Sequence, residues 1–142
     1  LVVSAFAIPS VREYVITKFN THSVFRAVST EDSQYVTDLT VGYIPEGFEL
    51  VEEEKGKLRM MYMLKNHSDS WVIIEKTEKK ADKGINTEKL GTEAIAINEI
   101  EYVVYTSSEE NNGVVWCDGE YIYSIKGILS HDELLKIAEN TK

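Results

Sequence analysis

VVWCDGEYIYSI, residues 114–125, carries the clearest hairpin signal in the chain. Asp118-Gly119 suits a two-residue turn whose central positions both take positive φ, matching the twist of the flanking strands. That turn predicts Cys117 opposite Glu120, Trp116 opposite Tyr121 and Val114 opposite Tyr123. Alternation along each strand then gathers Val114, Trp116, Tyr121, Tyr123 and Ile125 on one aromatic-rich face. Cys117, the single cysteine of the chain, falls on the other face. The acidic neighbours Asp118 and Glu120 oppose thiolate formation there, so Cys117 reads as a strand residue and not as a nucleophile.

The same logic extends outward. Downstream, Ser130 and Glu133 form a capping-box pattern, with Asp132 and Glu133 at the positive end of the helix dipole. Leu134, Ile137 and Ala138 share one face, widened by Leu135, which predicts a C-terminal helix. Upstream, TEAIAI and IEYVVYTSS predict two strands joined tightly at Asn98-Glu99, and SWVIIEKTE predicts another. KLRMMYMLKN places Met60, Tyr62 and Leu64 on one face and Met61 and Met63 on the other. In YIPEGFELVEEE, Pro45 and Gly47 fix a turn. A half-buried strand follows, with Phe48, Leu50 and Glu52 alternating against Glu49, Val51 and Glu53. A short strand is expected over residues 24–28 and a polar loop over 79–89. Near the start, Ser10 and Glu13 form another capping box. Val11, Val15 and Phe19 then recur every four residues beside Tyr14, predicting a helix over residues 10–20. The fold class is therefore α+β: an antiparallel meander of about six to seven strands with an N-terminal and a C-terminal helix. No helix separates consecutive strands, which argues against βαβ units.

At 142 residues the chain fits one domain, long enough to bury on the order of 70% of its unfolded surface without metals or disulfides. Its net charge of -9 opposes nucleic acid and anionic lipid as partners. The opening LVVSAFAIPS is apolar over residues 1–8, short of the roughly 20 residues of a membrane-spanning helix. Three origins fit it: the end of a transmembrane helix, the end of a signal peptide cut near Ala5-Phe6-Ala7, or a buried lead-in. Residues 1–9 are thus set apart as a remnant, and 10–142 as a single domain.

Tests for chemistry come out bland. His22, His67 and His131 stand far apart, and with one Cys they give no zinc spacing. Gly-rich phosphate loops and a G-x-S-x-G elbow are absent. The runs Glu52-Glu53-Glu54 and Glu109-Glu110 read as solvated edges, and Asn66-His67-Ser68 is a chance-level sequon. No catalytic residue, cofactor or metal is expected. The candidate contact surface is Trp116, Tyr121 and Tyr123 with Met61 and Met63, suited to a protein partner or a small apolar ligand.

IPSVREYVITKF past an apolar run, YIPEGFEL in the first third, and VVWCDGEYIYSIKGILSHDELLKIAENTK at the end occur in that order. Together they resemble the uncharacterised domain of unknown function 4367, common in Gram-positive bacteria, over nearly the whole chain. Such domains typically sit outside the membrane on single-pass proteins, and some are encoded beside extracytoplasmic-function sigma factors, as anti-sigma regulators are. The resemblance implies a curved antiparallel sheet with helical flanks, similar to lipoprotein-carrier and periplasmic sigma-regulator domains. It also implies that residues 1–8 are the outer end of a missing membrane anchor. The implied role is an extracytoplasmic sensory or protein-interaction domain, with a ligand-binding module as the alternative. One departure falls at the Ile97-Asn98 turn, where the family usually has Gly and this chain has Glu99; it leaves the geometry of that hairpin open.

Overall fold

A computed structural model describes residues 14–18, 22–27, 35–78, 83–86, 92–106 and 111–142. The described elements run β1 (Tyr14–Lys18), β2 (His22–Ala27), β3 (Glu49–Lys55), β4 (Arg59–Lys65), β5 (Trp71–Glu78), β6 (Lys83–Asn86), β7 (Thr92–Ile97), β8 (Ile100–Thr106), β9 (Asn112–Cys117), β10 (Tyr121–Gly127) and α1 (His131–Glu139). Seven strands form one sheet in the order β3-β4-β5-β10-β9-β8-β7, and β1-β2-β6 form a second, three-stranded sheet. Every pairing is antiparallel. The large sheet is two meanders, β3-β4-β5 and β7 to β10, joined where β5 lies against β10.

The expected helix over residues 10–20 lies partly outside the described residues. Its described part, β1, is extended and pairs with β2, Ile16 opposite Phe25. The segment YVITK is rich in β-branched and aromatic side chains, and cross-strand pairing overrides its weak four-residue periodicity. Of the loop expected over 79–89, the described part, residues 83–86, is instead β6, which pairs with β2; the rest lies outside the described residues. The short strand expected over 24–28 is present as β2, with residue 28 outside the described residues.

The register of the β9–β10 hairpin differs from expectation by two residues. Cys117 pairs with Ile122, Trp116 with Tyr123 and Val114 with Ile125. The turn is therefore Gly119-Glu120, with Gly119 at φ 97 in the first central position. Glycine is the residue suited to that left-handed position. Asp118 flanks it, and its Oδ1 accepts from the backbone N–H of Glu120 and of Tyr121, both at 2.8 Å. A shift of two residues preserves facing, so the aromatic face and the opposite placement of Cys117 both stand.

At the β7–β8 turn Asn98 and Glu99 have φ 50 and 68. A type I′ hairpin is thus built with a glutamate in a left-handed position that favours glycine. Glu99→Gly is expected to stabilise the chain by about 1 kcal/mol, measurable as a raised urea midpoint with unchanged slope.

One face of the large sheet holds the main core. Leu64, Val72, Ile74, Val104, Val114, Trp116, Tyr123 and Ile125 line it, and Leu134, Ile137 and Ala138 of α1 cover it. The helix begins as its capping pattern predicts: the Ser130 hydroxyl accepts from the Glu133 N–H at 3.2 Å. The Glu133 side chain does not return to Ser130 but accepts from the Tyr43 hydroxyl at 2.9 Å. That bond ties the helix to an irregular strap, residues 35–45. The strap also pairs with the chain end, Val41 bridging Thr141. The expected turn at Pro45 and Gly47 is present, closed by a bond from Phe48 N–H to the Pro45 carbonyl at 3.2 Å, with Gly47 at φ 87.

β3 departs from the half-buried strand expected of it. All seven of its residues are exposed, and a bulge interrupts its register between Leu50 and Glu52. It is an edge strand beyond the reach of α1, which packs on β9 and β10. Four glutamates along it keep the edge solvated.

Candidate functional site

The aromatic face does not close completely under α1. Near the tip of the β9–β10 hairpin a cavity of about 410 Å³ remains, lined by Asp38, Lys76, Ile100, Tyr102, Trp116, Asp118, Glu120, Tyr121, Tyr123, Glu139, Thr141 and Lys142. Three sequence-predicted residues, Trp116, Tyr121 and Tyr123, meet there. Cross-strand pairing places the Trp116 and Tyr123 rings in a stack, centroids 5.0 Å apart and planes 5° apart. Tyr102 of β8 tilts against Trp116 at 5.3 Å. Met61 and Met63 are not part of this site. They alternate with Met60, Tyr62 and Leu64, whose side of β4 joins the core, and so lie on the other face of the sheet.

Turn and strap fix the ring positions. The Tyr123 hydroxyl donates to Asp118 Oδ2 at 3.0 Å, and that of Tyr121 donates to the Tyr35 carbonyl at 3.1 Å. Asp118 thus shapes the hairpin with one oxygen and anchors the stack with the other.

Lys76 is the residue missed by the sequence reading. It is only 5% exposed, on the core face of β5 between Met60 of β4 and Tyr123 of β10. Its Nζ lies 4.4 Å from the centroid of Tyr121 and 5.6 Å from that of Tyr123. An ammonium over two ring faces is favoured by their quadrupoles. It also contacts Asp38 Oδ1 of the strap, at 3.4 Å. Alternation in WVIIEKTE was the signal: Val72, Ile74 and Lys76 share one face, so an inward lysine is legible once Val72 and Ile74 are placed inside.

Burial, reinforced by Asp118, raises the Tyr123 phenol well above its ordinary 10.0. Burial does the same for Tyr105, and for the Glu101 carboxyl on the opposite face. The tyrosine shifts set the sign of an alkaline effect. Below pH 10 both states keep the phenolic proton; above it the unfolded chain loses the proton and the folded one retains it. Stability therefore falls as pH rises past about 10, by about 1.4 kcal/mol per pH unit for each such tyrosine. Urea midpoints measured between pH 9 and 11 check this, and Tyr123→Phe should flatten the decline.

Among the described residues no group of three or more His, Cys, Asp and Glu side chains could hold a metal ion. No described helix is long and apolar enough to cross a membrane. Cys117 is a buried strand residue.

A family model described as Domain of unknown function (DUF4367) matches residues 38–140. The chain belongs to this family. The match takes in all seven strands of the large sheet, β6 and α1, and the cleft lies within it apart from Thr141 and Lys142. No curated protein and no solved structure matches the chain significantly.

Proposed function

We propose that this DUF4367 chain is the extracytoplasmic sensory domain of a membrane-anchored protein, of the kind that regulates a sigma factor, and that it responds to a small ligand held in the aromatic cleft. The observation that carries the binding part is the cavity itself. Its volume of about 410 Å³ lies within the roughly 300–1,000 Å³ usual for small-molecule sites. A sheet face needed only for stability would be expected to fill such a space, because interiors pack to crystal-like density. The cleft also sits where three independent segments meet: the hairpin tip, the strap and the chain end. A ligand bridging them would change their mutual fixing, which is a physical route from binding to signal.

A thermal-shift screen of small metabolites and cell-wall fragments tests binding. A ligand at about 100 times its Kd adds roughly 2.7 kcal/mol and raises Tm by several degrees. The shift should vanish in Glu120→Trp if that bulkier side chain occupies the cleft. Absence of any shift across the screen would remove the ligand reading. Placement is tested separately, by fusing after Lys142 of the full-length protein a reporter enzyme active only outside the cytoplasm. An inactive fusion, with the same reporter active on a known exported control, would remove the extracytoplasmic assignment.

A further inference from the structure

We infer that the ligand of the cleft is a small zwitterion, an amino acid or short peptide, whose carboxylate is received by Lys76 and whose cationic end is received by Glu120 and Glu139. The inference rests on the cleft being a binding site and adds the class of ligand.

Lys76 supplies the first half of the argument. An ammonium has three hydrogens to donate. Among the described residues the one acceptor it meets is Asp38, at 3.4 Å, which is long for a charge-assisted bond. The Asp38 side chain is 72% exposed and stands on the irregular strap, whereas the Lys76 side chain is 6% exposed on a central strand. The fixed member of the pair is therefore the cation, and its partner is free to swing into water. A buried charge with donors to spare gains from a second acceptor. Its other contacts are the ring faces of Tyr121 and Tyr123, which offer no lone pair, and the hydroxyls of both tyrosines bond elsewhere. The buried end of the cavity thus presents the Lys76 ammonium.

Its outer rim presents the opposite charge. Asp118, Glu120 and Glu139 line the same cavity and are exposed, outnumbering the one exposed cation there, Lys142. A phosphate or plain carboxylate would have to pass these groups and a chain of net charge -9. A purely cationic ligand would satisfy the rim and meet Lys76 head-on. Only a molecule carrying both charges suits both ends.

Titration calorimetry on the 142-residue chain with the dipeptide Lys-Ala and with its C-terminal amide separates these cases. The amide lacks the carboxylate yet carries one more net positive charge, so a merely acidic surface would prefer it. The expected result is that Lys-Ala binds at least tenfold more tightly than the amide, and that Lys76→Met abolishes the difference. Glu120→Gln with Glu139→Gln should weaken Lys-Ala several-fold. Equal or tighter binding of the amide to the unaltered chain overturns the inference whatever the variants do. So does the absence of binding by either peptide. In both cases the cleft remains a binding site if the thermal-shift screen finds another ligand, and falls with the inference if it finds none.

Discussion

Trp116→Ala is expected to lower stability by about 3–5 kcal/mol, the largest effect of any single truncation in this chain. The indole is 2% exposed, stacked on Tyr123 at 5.0 Å and met by Tyr102 at 5.3 Å. Its removal loses the transfer free energy of a large side chain. It also leaves a hole beside an existing cavity, between strands too rigid to collapse into it. Small domains hold about 5–15 kcal/mol in total, so a fold of modest stability would be mostly unfolded at 37 °C. Urea denaturation followed by far-ultraviolet circular dichroism measures the loss. A change below about 1 kcal/mol would be incompatible with Trp116 as the centre of the core.

Gly127→Ala is expected to cost about 3 kcal/mol for a different reason. Gly127 pairs with Val72 at the end of the β5–β10 seam. A Cβ there would run into the Trp71 carbonyl oxygen and approach Val72 Cα to 2.9 Å. Both obstacles are backbone, so the strands must separate. Gly113→Ala is the informative comparison. Its Cβ would enter the ring of Tyr105, a side chain, so Tyr105→Ala should rescue part of the loss at Gly113 and none at Gly127. A rescue at both positions, or at neither, would contradict these separate origins.

How far these features were legible depends on which level of order fixes them. The sides of β4, β9 and β10 follow from alternation alone. That is why Trp116, Tyr121 and Tyr123 come out together even though the turn lies one residue further on and the pairing slips by two. Parity survives an even slip. The turn itself needed more, because Asp-Gly fits two hairpin registers, and the side-chain bonds of Asp118 to the backbone of Glu120 and Tyr121 hold the one formed. The C-terminal helix was legible since cap, dipole charges and apolar stripe all agree. At residues 10–20 they do not: a capping pattern competes with a β-branched segment, and pairing with β2, invisible locally, decides. The exposure of β3 was hidden for a similar reason, as its place at the sheet edge is a property of strand order. Alternation separates Met61 and Met63 from Met60, Tyr62 and Leu64, but which of the two faces meets the aromatic surface follows only from the pairing of β4 with β5. Lys76 was passed over because a lysine is assumed to be outside.

The junction of β5 with β10 bears on how the chain is made. Nothing can complete the middle of the large sheet until residues 121–127 have left the ribosome, long after β3, β4 and β5 are out. During that interval the nascent three-stranded half presents the inner edge of β5. Glu75, Lys76 and Glu78 put three charges on that edge, which discourages two unfinished copies from sticking to each other. The lysine at the heart of the finished molecule leaves water only when the last hairpin arrives.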